Sequence, residues 1–104
     1  MTTTLPSWRD PSRDVEEREG HPDDAGVYVR SAPVDRWAPE GASDRIVVFV
    51  AGFRHTNRPE DDWPDEVIAE NVDPGYTSQV KLPVKDARRL AAALLTAADR
   101  AEGL

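Results

Sequence analysis

The sequence contains no cysteine, which excludes disulfides, thiolate metal sites and cysteine nucleophiles. It also lacks any run of about 18 consecutive apolar residues, the length that a membrane-spanning helix requires. The amino terminus has neither the basic start nor the apolar stretch of a secretory signal. These absences predict a cytoplasmic protein that does not enter a membrane.

Motifs for catalysis and cofactor binding are missing as well. The chain has no Gly-x-Ser-x-Gly elbow, no glycine-rich phosphate loop and no dinucleotide fingerprint. The two histidines, His21 and His55, do not have the spacing of a helical zinc site. A mixed site of His21, Asp23 and Asp24 is conceivable, but acids beside a histidine in a proline-bounded segment are more often solvated turn residues. We therefore expect a protein that is not an enzyme and holds no metal or cofactor.

Charge of one sign dominates the chain, with 20 acidic against 13 basic side chains and a net charge of −7. Residues 1–73 carry 17 acids and 8 bases, whereas residues 74–104 carry 3 acids and 5 bases. A negative field repels phosphate backbones, so direct nucleic-acid binding is disfavoured and a basic protein partner is favoured. The simpler interpretation, that the acids only keep a small protein soluble, stays open.

The strongest pattern that is present lies at the carboxyl end, from Val84 to Glu102. Apolar residues recur there at helical spacing and form one stripe: Ala87, Leu90, Ala91, Leu94, Ala98 and Ala101. Gly103 is placed to end this helix. Because an amphipathic helix needs a surface to lie on, we expect it to pack on a sheet.

Four segments before the helix have the composition of strands: Gly26–Ser31, Arg45–Phe53, Glu66–Val72 and Tyr76–Leu82. Between the last two, Asp73-Pro-Gly75 predicts a hairpin with a type II turn, in which Gly75 has positive φ. The predicted fold is α+β, an antiparallel sheet of three to four strands with one C-terminal helix packed on one face. We assign residues 1–25 to a flexible, acidic and irregular N-terminal arm and residues 26–104 to a single domain.

The alternation within the strands predicts which sheet face the helix covers. Tyr76, Val80 and the even-numbered residues of Ile46–Val50 are expected to lie under its alanines. Val47, Phe49 and Ala51 then point to the opposite, uncovered face. That face predicts a possible homodimer.

Polar connections contain the candidate interaction residues, which are Trp37, Arg54, His55, Asp61, Asp62 and Trp63. The long connection of residues 54–64 follows the central strand and is a candidate functional loop. Trp37 and Trp63 are each either lids folded onto the core or exposed interface anchors. The leading hypothesis is a non-enzymatic, small acidic protein-interaction module.

Two alternatives from other classes remain. A DNA-mimic type inhibitor would occupy the basic groove of a nucleic-acid-binding protein through Asp61, Asp62, Asp65 and Glu66 together with the acids of the arm. A small-ligand-binding protein would instead use the 54–64 loop, with a pocket beside His55.

Two segments resemble short actinobacterial proteins of unknown function that have an N-terminal Pro-x-Trp motif and a C-terminal Ala/Leu-rich helix. The segment from Lys81 to Asp99 resembles their closing helix, and Leu5-Pro-Ser-Trp-Arg9 with His21 resembles their opening motif. The family pattern places cysteines where this chain has Leu5 and Arg9. Those cysteines with the histidine would imply a metal knuckle, which leucine and arginine do not build. The resemblance implies an actinobacterial or phage origin and a sheet with a terminal helix.

Overall fold

The computed structural model describes residues 8–10, 12–19, 26–56 and 58–104. The described elements are, in chain order, β1 (Val15–Glu19), β2 (Gly26–Arg30), β3 (Asp35–Trp37), β4 (Arg45–His55), a 3₁₀ turn (Pro59–Asp61), β5 (Trp63–Asp73), β6 (Tyr76–Pro83) and α1 (Val84–Ala101). No helix among these residues is long and apolar enough to cross a membrane.

The strands form one antiparallel sheet in the order β1-β2-β4-β5-β6, and β3 pairs with the first part of β4. The α+β class, the antiparallel sheet and the C-terminal helix are therefore confirmed. The sheet also contains two short strands that the sequence did not predict, β1 and β3. Since β1 lies within residues 1–25, its pairing with β2 extends the sheet into the segment expected to be an irregular arm.

Buried residues lie on both faces of the central strands. Val27 and Val29 of β2, which are fully buried, pair with Arg54 and Gly52 and lie on one face, and a cluster around Phe49 lies on the other. Phe49 pairs with Ile68 across β4 and β5, and both are buried together with Ala51. Directly paired residues of an antiparallel ladder point to the same side, so these side chains pack as neighbours. Of the three residues expected on an open face, Phe49 and Ala51 are only 3% and 4% exposed, and Val47 is partly buried.

The opposite face carries two apolar rows that cross three strands. We call this surface the valine face, and the register gives its rows as Val48, Ala69 and Val80, then Val50, Val67 and Leu82. The predicted grouping of Val48 and Val50 with Val80 is therefore correct. None of the six residues is buried, and Val80 is 50% exposed.

The helix does not cover that face. Among the described elements α1 contacts β5 and β6, none of its residues is buried, and Ala87 alone is partly buried. The expected packing of its apolar stripe on a sheet face is thus not observed. The physical reason is the junction: β6 ends at Pro83 and α1 begins at Val84, so no loop reverses the chain. The chain measures 56 × 30 × 23 Å, and its radius of gyration of 16.7 Å exceeds the value of about 13 Å typical of compact domains of this length.

The predicted helix end and the predicted hairpin both occur, although the turn of the hairpin has a different geometry. Gly103 has φ of +81° and ends α1 with two bonds, Gly103 N–H to the Arg100 carbonyl at 3.1 Å and Leu104 N–H to the Asp99 carbonyl at 2.8 Å. In the β5–β6 hairpin Gly75 does not have positive φ, so the predicted type II turn is wrong. The Asp73 carboxylate instead accepts a hydrogen bond from Gly75 N–H at 3.1 Å, which supplies the turn from a side chain.

Candidate functional site

Residues 54–65 run from the end of β4 to the start of β5, and we call this segment the tryptophan loop. Arg54 near the end of β4 ties the loop together. Its Nη2 donates to Asp65 Oδ1 at 2.9 Å, and its Nη1 donates to the Trp63 carbonyl at 3.2 Å. The side chains of Arg54 and Asp65 are 19% and 27% exposed, so water screens the pair only partly. One guanidinium therefore fixes the first residue of the loop to the strand that follows it.

The backbone makes room for this ion pair at Gly52. A Cβ at that position would meet the Asp65 carboxylate and Arg54. The β4–β5 register is also irregular between Ala51 and Phe53, where the chain departs from a regular ladder. Such irregularities redirect side chains near the end of a sheet.

His55 is held inside the tryptophan loop. Its backbone N–H donates to Asp62 Oδ1 at 2.5 Å, and its Nδ1 accepts from the backbone N–H of Arg58 at 2.9 Å. Since His55 is only 6% exposed, its ring supports the loop and is not presented to a ligand.

The Trp63 side chain packs against a neighbouring ring and is also exposed to solvent. Its ring lies 5.0 Å from the Phe53 ring, centroid to centroid, at an interplanar angle of 37°. Phe53 is 7% exposed, whereas Trp63 is 54% exposed. The indole thus covers Phe53 with part of its surface and leaves the remainder to solvent.

The acidic residues of the loop divide into two kinds. Asp62 is engaged by His55 and lies 3.9 Å from Arg54 Nε, and Asp65 is bound by the same guanidinium. Asp61 is exposed and pairs with Arg58 at 3.1 Å, a contact of small energetic weight at 49% and 45% exposure. Two of the acids expected to mimic a nucleic acid, Asp62 and Asp65, therefore form contacts that hold the loop.

Trp37 lies apart from the other candidate residues. It is 46% exposed on β3 and pairs with Ile46 near the start of β4. Arg54 is eight positions further along that strand, roughly 25 Å away at the rise of an extended chain. The fold therefore brings together Arg54, His55, Asp61, Asp62 and Trp63 but not Trp37.

A cleft that the sequence did not indicate lies between the segment of residues 8–14 and the sheet. It has a volume of about 330 Å³ and is lined by residues that include Trp8, Asp10, Arg13, Ser31 and Val50. The indole Nε1 of Trp8 is buried without a hydrogen-bond partner. The Ser12 hydroxyl and backbone N–H both donate to Asp10 Oδ1, at 2.6 and 3.1 Å, and lower the pKa of that carboxyl. No local motif connects these residues, so only their packing reveals the cleft.

Metal-binding chemistry is not found in the described part of the chain, where no group of three or more histidine and acidic side chains is placed to hold an ion. His21, Asp23 and Asp24 lie outside the described residues, as do Leu5, Pro6 and Ser7 of the opening motif. Comparison of the chain with protein-family models, curated proteins and solved structures found no match in any of the three.

Proposed function

We propose that this protein is a non-enzymatic interaction module of the cytoplasm, and that the tryptophan loop contacts a protein partner. The observation that carries this proposal is the state of Trp63, which is 54% exposed yet packed against Phe53 at 5.0 Å. An aromatic ring that is fixed before binding loses little entropy when a partner covers it. Tryptophan is also among the residues that contribute most to binding energy at interfaces.

The surroundings of Trp63 favour a basic partner. Glu60 and Asp61 are exposed beside it, while the inward-facing Asp62 is held by His55. Acidic groups at the rim of an interface accelerate association with a basic surface and suppress acidic competitors. The chain as a whole carries a net charge of −7, which also favours a basic partner.

The framework of the loop supports binding better than catalysis. Arg54 and His55, the two side chains with the chemistry for acid–base or anion-binding work, are engaged by Asp65, by Arg58 and by backbone atoms. Their hydrogen bonds tie Arg54 and His55 to Arg58, Trp63 and Asp65. These contacts then serve to position Trp63.

A quantitative pull-down from the native cytoplasm tests this function. Wild-type protein, Trp63→Ala and Trp63→Phe are each used as bait, and Trp37→Ala is the matched control because Trp37 is similarly exposed at a distant place. We expect one protein whose recovery falls at least about tenfold with Trp63→Ala, the loss typical of an interface hot spot. Trp63→Phe should retain part of the binding.

Three outcomes contradict the proposal. Recovery that does not change with Trp63→Ala removes the loop from the interface. Turnover of a substrate by the purified protein, lost when the loop is mutated, replaces binding by catalysis. Capture of a DNA-binding protein with a steep loss of affinity in salt favours the nucleic-acid mimic instead.

A further inference from the structure

The apolar stripe of α1 is uncovered within its own chain. Leu90 and Leu94 of the stripe are 39% and 61% exposed, Leu95 beside the stripe is 69% exposed, and no residue of the helix is buried. In proteins most of the stability of a helix comes from packing of its amphipathic face, and α1 has contacts with β5 and β6 but buries none of its residues. The stripe therefore requires a surface that this copy of the chain does not supply.

A surface of matching character is present on the sheet. The valine face presents six apolar side chains in two rows across β4, β5 and β6, and none of them is buried. Its breadth of three strands is about 10 Å from the first strand to the third, the width of one helix. The chain thus has one exposed helix and one apolar face of about the width of a helix, in which Val80 is exposed and the other five residues are partly buried.

The junction between β6 and α1 separates these two surfaces in one copy. Pro83 has φ of −54° and ψ of 153°, an extended conformation, and Val84 already begins the helix. Connections that bring a helix back onto its sheet usually need two to six residues. The chain continues outward instead, so the helix is directed away from its own valine face.

Charge favours contact of α1 with the acidic remainder of another copy over parallel pairing of two helices. Residues 84–104 carry 4 bases and 3 acids, whereas residues 1–83 carry 9 bases and 17 acids. Lys85, Arg88 and Arg89 concentrate positive charge in the first two turns. Complementary charge brings such a helix to the acidic part of another copy, and like charge disfavours side-by-side pairing of two of these turns.

The area of contact favours a sheet over a second helix as the surface that covers α1. A helix about 27 Å long and 10 Å wide covers roughly 270 Å² on each side of a contact, so one helix–helix pair removes about 540 Å² from water. That value lies in the range of crystal-packing contacts, below about 800 Å². Two helix–sheet contacts remove about 1,100 Å², close to the lower limit of specific interfaces at about 1,200 Å².

We propose that two copies of this chain exchange their C-terminal helices, so that α1 of each copy lies on the valine face of the other. The arrangement has two-fold symmetry and closes on itself, because each copy gives one helix and receives one. It replaces the dimer contact expected through Phe49 and Ala51, which are buried in the single chain.

Cysteine cross-linking tests the exchange directly, since the chain has no native cysteine. Leu94→Cys places a thiol in the middle of the stripe, and Val80→Cys places one on the valine face. The two single variants are mixed and oxidised, and the product is analysed on a non-reducing gel. We expect a disulfide-linked species of twice the 11.5 kDa chain mass that joins one variant to the other. Thr96→Cys on the opposite side of the helix and Thr77→Cys on the opposite side of β6 are the controls and should cross-link at least tenfold less.

Sedimentation equilibrium of the unmodified chain accompanies the cross-linking and should give a mass of twice 11.5 kDa at high concentration. A monomeric mass throughout the accessible concentration range overturns the exchange. Efficient linkage of Leu94→Cys to itself overturns it in favour of paired helices. A Leu94→Cys/Val80→Cys double variant that closes its disulfide within one chain overturns it in favour of a helix folded onto its own sheet.

Discussion

The tryptophan loop and α1 are opposites in the way they are held. Between its strand residues the loop has only a short 3₁₀ turn, yet Arg54, His55 and Asp62 fix it through side-chain hydrogen bonds to β4 and β5. The helix is fully regular and ends at Gly103 with two backbone hydrogen bonds, yet none of its residues is buried. Regular secondary structure is therefore not a measure of attachment to the core, and local hydrogen bonding and tertiary packing must be assessed separately.

The largest expected difference in unfolding free energy is between a substitution in the core and a substitution in the stripe of α1. Phe49→Ala should lower the free energy of unfolding by about 3 to 5 kcal/mol, because it leaves a cavity beside Ile68. Leu94→Ala should change the same quantity by less than about 0.5 kcal/mol in dilute solution, where the helix has no partner. Urea denaturation followed by tryptophan fluorescence measures both. Comparable losses in the two variants would mean that the stripe belongs to the core of the single chain.

A smaller difference in unfolding free energy is expected between substitutions of two acidic residues in the tryptophan loop. Asp65→Ala removes the charged acceptor of Arg54 and should cost about 1.5 to 3 kcal/mol of unfolding free energy. Asp61→Ala, which removes an exposed pair with Arg58, should cost less than about 1 kcal/mol. The same urea titrations provide the comparison. If Asp61→Ala proved the more damaging of the two, the division of the loop acids into committed and exposed groups would fail.

The smallest effect is expected at the end of α1. Gly103 has φ of +81°, so Gly103→Ala should destabilise the last turn by about 1 to 2 kcal/mol. Because α1 is not packed on the core, this cost should appear in the amide shifts of residues 99–104 and leave the urea midpoint of the sheet unchanged. Gly41→Ala, at the other positive φ of +79°, is the control in the sheet region. A shift of the global midpoint by Gly103→Ala would show that the helix and the sheet unfold together.

Local patterns in the sequence predicted the regular elements well. Strand composition identified β2, β4, β5 and β6, and the 3.6-residue period identified α1 with its stop at Gly103. Residues 15–19 and 35–37 lack such a pattern because their strand character comes from pairing with β2 and β4. Strands of that kind are specified by their neighbours, which a single sequence does not display.

Prediction was less complete for contacts between elements. The composition of residues 54–64 pointed to Arg54, His55 and Trp63, and the fold brings them together, but no spacing rule links Arg54 to Asp65 or Asp62 to the backbone of His55. The position of the helix depended on the absence of a loop after Pro83. The amphipathic pattern showed that α1 needs a covering surface and could not show which copy provides it.

Native-state hydrogen exchange at two protein concentrations tests the central claim, that α1 is stabilised from outside its own chain. In dilute solution we expect the amides of α1 to exchange within about tenfold of an unstructured peptide, while those of β4 stay strongly protected. At high concentration the protection of α1 should rise and that of β4 should change little. Protection of α1 equal to that of β4 at the lowest concentration would contradict the account, because the helix would then be held by its own sheet.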